Sequence, residues 1–202
     1  MQSAFEITDI VSSEEVNDLL NYYSSLDTSM DNPTAYTTGF PIEESPFNYI
    51  SNRLKKDLGD FNVTVTMFLE SHKPWSAHTD YVKDDNNPFY AILIPLDHTH
   101  ETYTVIFNEL SYAGTEEHHT AHLPEINTNF TKFERDLLYH IPEEKLKKLS
   151  IDKAIKWKTG DAICWRRDVL HCSGYFDSSF GKRIALVLFL NRDGLETTQK
   201  IV

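Results

Sequence analysis

The chain has 202 residues, 40% of them hydrophobic and 12% aromatic, with 31 acidic against 19 basic side chains and a net charge of -12. That length supports one domain with a substantial core, and the composition excludes a disordered chain. The acidic balance counts against a large phosphate-binding surface, which needs clustered Lys and Arg, though not against a local basic groove, so nucleic acid is not an expected partner.

The N-terminal stretch "MQSAFEITDI" has neither the basic run nor the apolar core of a signal peptide. Ser12 followed by Glu15 fits a capping box. Val16, Leu19, Leu20 and Tyr23 then recur at helical spacing. Ser45-Pro46 signals a second helix with Pro at its first position. Phe47, Ile50, Leu54 and Leu58 form its apolar stripe, and Gly59 ends it. The first 60 residues therefore read as mainly helical.

From residue 61 the pattern changes to strands. "FNVTVTMFL" (61–69) alternates and is β-branched. "FYAILIPL" (89–96), "TYTVIFNEL" (102–110), "DAICW" (161–165) and "RIALVLFL" (183–190) follow, with Pro, Asn, Gly and Asp in the gaps. Residues 111–156 read as a largely helical insertion, with a capping box at Thr131 and Glu134 and a short helix opened by Pro142. No repeat or Gly/Ser linker divides the chain, which favours a single domain. The expected fold is α+β, a jelly-roll-like β-sandwich or barrel with N-terminal helices and a helical insertion. The two cysteines, Cys164 and Cys172, make neither a disulfide framework nor a CxxC pair. No apolar run approaches the roughly 18 residues of a membrane span. These features point to a soluble, cytoplasmic protein.

The residues that carry chemistry lie in "KPWSAHTDY" (73–81) and in the C-terminal third. In an extended chain residues i and i+2 share a face, so His78 and Asp80 project together and Thr79 turns away. A His and a carboxylate on one face can supply two ligands to a divalent metal, and a further His completes a facial triad with open positions. Alone, His-X-Asp fits a polar loop equally well. Downstream stand His171 and then Arg183, the latter opening a strand that is apolar on both faces. An Arg buried there needs an anionic partner, and a bidentate carboxylate is the natural one. An internal salt bridge, or a strand-end Arg reaching solvent, is the alternative.

The order His78-X-Asp80, His171, Arg183 resembles the Fe(II)/2-oxoglutarate-dependent dioxygenases, in particular their prolyl-hydroxylase-like and phytanoyl-CoA-hydroxylase-like members. The resemblance covers roughly residues 61–190. It implies a double-stranded β-helix, with His78, Asp80 and His171 holding Fe(II) and Arg183 binding the distal carboxylate of 2-oxoglutarate. Asp80 sets the chain apart from related halogenases, which carry a small residue there. Two positions depart from the family pattern. Ala185 stands where many relatives have a Ser two residues after the Arg, and Phe68 stands where many have a Tyr. Tyr90, on the next strand, is the candidate for the missing hydroxyl contact to 2-oxoglutarate.

The resemblance implies an oxygenase that consumes 2-oxoglutarate and O2, releases succinate and CO2, and hydroxylates a C–H bond of a small molecule or peptidyl side chain. The alternatives are a non-catalytic cupin-like protein that binds metal or ligand, and a nucleobase-directed oxygenase of the same fold. "EEHHTAH" (116–122) and "DHTH" (97–100) offer other ligand types, but both read as loops. Trp75 is expected at the pocket wall or in the core. Trp165 and Arg167 are candidates for the mouth of the site, with solvent exposure the plainer reading of Arg167; His72, His98, His100 and His140 are expected in surface or loop positions.

Overall fold

Helix α1, Ser13–Ser25, opens with the reciprocal cap that its sequence predicts: the Glu15 amide donates to Ser12 Oγ and the Ser12 amide to the Glu15 carboxylate. Helix α2, Asn48–Leu58, begins after Pro46 rather than at it. A 3-10 turn at Ile42–Glu44 precedes it, and Ser45 Oγ accepts from the Phe47 amide, which holds Pro46 outside the helix. Gly59 closes α2 at a φ of 75°.

Our computed structural model describes residues 3–26, 29–32, 35–80, 88–111, 120–126, 128–174 and 182–192. Its ten strands are β1 Ala4–Ile7, β2 Ser29–Asn32, β3 Ala35–Gly39, β4 Asn62–Ser71, β5 Pro88–His98, β6 Tyr103–Leu110, β7 Ile151–Lys156, β8 Ala162–Arg166, β9 Val169–Gly174 and β10 Arg183–Asn191. They form two antiparallel sheets. The larger has the order β1-β8-β5-β10-β4-β3-β2 and the smaller β7-β6-β9. This is the expected α+β architecture, a double-stranded β-helix with few helices.

The five strands that the sequence predicts are β4, β5, β6, β8 and β10. The others include all four sheet edges, β1, β2, β7 and β9. An edge strand is held by the ladder to one neighbour and needs no long apolar run. β7 shows this: "IDKAIK" carries charge on its outer positions and buries only Ile155 fully. The segment expected to be a helical insertion therefore ends in a strand, and the N-terminal region expected to be helical contains three.

Three apolar layers organise the sandwich. Ile184, Leu186, Leu188 and Leu190 of β10 face α1 and α2, meeting Leu19, Ile50 and Leu54. Ala185 and Val187 face inward, with Ile106 of the smaller sheet in the same cluster. The outer face of the smaller sheet, with Phe107 and Leu170, is covered by Leu137, Leu138 and Ile141 from around α3, Lys132–Leu137. Each fully buried aliphatic side chain contributes roughly 1.5–3 kcal/mol. The two-sided burial of β10 thus makes it the central strand energetically as well as in order. The predicted Gly-Asp turn before β8 is sealed against the start of α1. Gly160 has a φ of 89°, and a Cβ there would lie 2.4 Å from the Val11 carbonyl oxygen. Among the described residues no helix is long and apolar enough to cross a membrane.

Candidate metal centre

His78 lies beyond β4 and pairs with His171 of β9 through a single antiparallel bridge. The His78 amide donates to the His171 carbonyl at 3.0 Å, and the His171 amide returns the bond at 2.9 Å. Cross-strand partners project to the same face, so the two imidazoles stand together with centroids 4.3 Å apart. Asp80 turns its carboxylate toward both. Its Oδ1 is 4.0 Å from His78 Nε2 and its Oδ2 is 3.5 Å from His171 Nε2. Ligand atoms of the three residues all lie within 4.8 Å of one another, the only such cluster of His, Cys, Asp and Glu among the described residues.

The orientation of each donor is fixed from outside. His78 Nδ1 lies 2.7 Å from the Ser76 carbonyl oxygen, and His171 Nδ1 lies 3.2 Å from that of Val169. Protons on Nδ1 satisfy these carbonyls and leave both Nε2 lone pairs facing the centre. The Trp165 indole N–H donates to Asp80 Oδ2 at 2.9 Å, and its ring packs 4.6 Å from that of His171. Two imidazoles and one carboxylate, converging on one side, fit a divalent first-row metal with open coordination positions.

Arg183 is buried, with 4% of its surface exposed. Its Nε donates to Ser71 Oγ at 2.7 Å and its Nη2 to Ser173 Oγ. The guanidinium lies 4.9 Å from the ring centroid of Trp157, whose indole N–H is held by Thr104 Oγ1. Burial pushes the Arg183 pKa down to about 10, against a smaller opposing effect of Cys172, so the side chain stays cationic at neutral pH. The strand-end Arg reaching solvent is thereby excluded. Arg183, His78, Asp80 and His171 open onto one cavity of about 240 Å³ between the sheets. Met67, Leu69, Trp75, Leu93, Val187 and Phe189 contribute apolar wall.

Tyr90 does not line this cavity. The alternation of β5 turns Ala91 and Leu93 inward and sends Tyr90 into the helix-facing core, its ring edge-on to Phe5 at 5.4 Å. Burial there pushes its hydroxyl pKa up. The expected contact from Tyr90 to a cosubstrate is therefore not made by this arrangement. Phe68 also points outward, stacked 5.1 Å from Phe40. A Tyr at position 68 would face the helices too.

Four functional candidates escape the sequence reading. Ser173 shares the face of His171 by the i+2 rule, which applies only once Val169–Gly174 is known to be a strand. Ser71 is opposite Arg183 only through the register of β4 and β10, which no local pattern displays. Arg167, expected at the surface, is 2% exposed. His140 is also largely withdrawn from solvent. Its Nε2 lies 3.0 Å from the Trp75 carbonyl oxygen, and burial, assisted by the Arg183 charge, pushes its pKa down to about 4. Of "EEHHTAH", His118 and His119 lie outside the described residues, and His122 is exposed. In "DHTH", His98 Nδ1 faces the His100 carbonyl rather than a second ligand. Both cysteines are buried free thiols whose pKa values burial pushes up, so neither supplies a thiolate at neutral pH.

A measurable pH dependence follows from His140. Its depressed pKa means that the unfolded chain binds the proton more readily between pH 6.5 and about 4. Stability contributed by neutral His140 is present above that window and is lost as pH falls through it. Urea midpoints measured across pH 7 to 4 are expected to fall less in His140→Gln than in the unsubstituted protein. Parallel pH profiles would count against this placement.

No family model matches the sequence, and no curated protein matches it. Solved structures do match the fold. HygX from Streptomyces hygroscopicus, solved with nickel and 2-oxoglutarate bound, superposes with a TM-score of 0.58 at 12% identity, over 95% of this chain and 84% of its own. The viral collagen prolyl hydroxylase vCPH from Paramecium Bursaria Chlorella virus-1, solved as a 2OG complex, gives 0.55 at 13% identity, over 94% and 96%. The chain has the fold of the Fe(II)/2-oxoglutarate oxygenases. A prolyl-4-hydroxylase from Pseudomonas putida extends the same likeness, at a TM-score of 0.51 and 9% identity over 96% and 95% of the two chains.

Proposed function

We propose that the chain is an Fe(II)- and 2-oxoglutarate-dependent oxygenase that hydroxylates a C–H bond of a small molecule or peptidyl side chain, releasing succinate and CO2. His78, Asp80 and His171 are the metal ligands in this reading, and Arg183 takes the distal carboxylate of 2-oxoglutarate. The observation that carries it is the opening of all four residues onto one cavity between the sheets, in a fold shared with oxygenases solved with 2-oxoglutarate. Bound iron would supply the coupling of O2 reduction and 2-oxoglutarate decarboxylation to oxidation of the target carbon.

The protein's own residues do the rest. The Nδ1 contacts of His78 and His171 hold their rings in the ligating tautomer. Ser71, Ser173 and Trp157 fix the Arg183 guanidinium, so the cosubstrate's carboxylate meets a preset cation. Trp75, Met67, Leu69 and Phe189 keep water away from the reacting carbon. Among the described lining residues Arg183 is the only Lys or Arg, which favours an uncharged reacting group on the substrate. The free thiols and the acidic surface favour a cytoplasmic enzyme without nucleic acid as substrate.

Adding Fe(II) and then 2-oxoglutarate anaerobically is expected to produce a weak visible charge-transfer band. Protein that binds the metal tightly yet gives no such band with 2-oxoglutarate would overturn the oxygenase reading in favour of a binding module.

A further inference from the structure

We infer that Arg167 is a positioning residue for the metal site, acting on Asp80 through its main chain. This rests on the reading of His78, Asp80 and His171 as metal ligands. Arg167 lies in the turn between β8 and β9 and is among the largest fully buried side chains among the described residues. Withdrawing a guanidinium from water costs several kcal/mol unless its hydrogen bonds are replaced. Here the fork is used on one atom: Nε and Nη2 reach the Asp80 carbonyl oxygen at 3.1 and 2.9 Å. Nη1 donates to Asn191 Oδ1 at 3.1 Å, and Phe189 lies under the guanidinium with its centroid 4.6 Å away.

The geometry separates two jobs. Trp165, two residues earlier, holds the Asp80 carboxylate. Arg167 holds the peptide group at the other end of the same residue. A side chain gripped at its head while its carbonyl is clamped has little freedom left, so the carboxylate reaches the centre with its orientation already set. The two histidines need no such help, because their backbones bond to each other. Asp80 is the ligand whose main chain is clamped by a side chain from the β8–β9 turn.

Substituting Arg167→Lys keeps the charge but replaces the planar fork with a point donor. The test is a titration of the metal-free protein with Co(II), without 2-oxoglutarate or substrate, followed by the ion's visible spectrum. Loss of an outer-shell partner costs roughly 10–100-fold in metal affinity. A rise of the Co(II) Kd in that range is expected, with an altered spectrum, while 2-oxoglutarate KM is unchanged at saturating metal. Arg167→Met is expected to raise Kd further. Thermal unfolding of each metal-free variant reports the purely structural contribution. A folded Arg167→Lys protein with the original Kd and spectrum overturns the inference. If the unsubstituted protein binds no Co(II), the metal reading itself fails instead. Should both Arg167 variants fail to fold, Asn191→Ala loosens one arm of the clamp, and an unchanged Kd there overturns the inference equally.

Discussion

His171→Ala is expected to abolish the anaerobic charge-transfer band and 2-oxoglutarate turnover, and to do so in a protein that still folds. His171 contributes two separable things. Its amide and carbonyl pair with His78, and in the proposed reading its ring supplies one of three metal donors. Alanine keeps the first and removes the second. Only His78 and Asp80 then remain, and the loss of metal affinity should exceed the roughly 10–100-fold typical of outer-shell changes. The ring is buried against Trp165, so truncation leaves a void worth about 1–3 kcal/mol, which lowers the unfolding temperature without unfolding the domain. His98→Ala is the control, because His98 sits near Trp157 but outside the triad. Equal loss in both variants, or a retained band in His171→Ala, would remove His171 from the ligand set.

Arg183→Met is expected to raise the KM for 2-oxoglutarate by on the order of 100-fold while leaving affinity for the metal nearly unchanged. Removing one partner of a buried charge pair costs about 3 kcal/mol or more, and each 1.4 kcal/mol is about tenfold in binding. The methionine fills much of the same space beneath Trp157, so the loss reports charge and fork rather than packing. Arg183→Lys should fall between, since it keeps the charge but cannot hydrogen-bond Ser71 and Ser173 together while facing a carboxylate with two donors. Steady-state kinetics with varied 2-oxoglutarate decides the point. An unchanged KM in folded Arg183→Met would assign the cosubstrate carboxylate to another residue.

What the sequence displays here is governed by which interactions are local. The capping boxes at Ser12 and Thr131 close within four residues, and both helices start where those residues stand. β10 is buried on both faces, and its unbroken apolar run says so. The edge strands β1, β2, β7 and β9 are invisible because their pairing partners, not their own composition, make them strands. The site divides the same way. The triad and Arg183 are legible because the types and order of these residues resemble a known arrangement. Ser71, Arg167 and His140 are not, because each reaches the site across sheet register or a turn. Tyr90 shows the converse: a plausible residue type on the right strand, facing the wrong side by one position.

The bond pattern between His78 and His171 bears on how such a chain can change over time. In the proposed reading the two histidine ligands meet through their own peptide groups, so the spacing of their donor atoms rests on one hydrogen-bonded pair. The segment around α3, which covers the outer face of the smaller sheet, supplies none of the three clustered residues and, among the described residues, none of the cavity wall. A change in that segment alters the cover of the smaller sheet while the backbone pairing of His78 and His171 stays as it is.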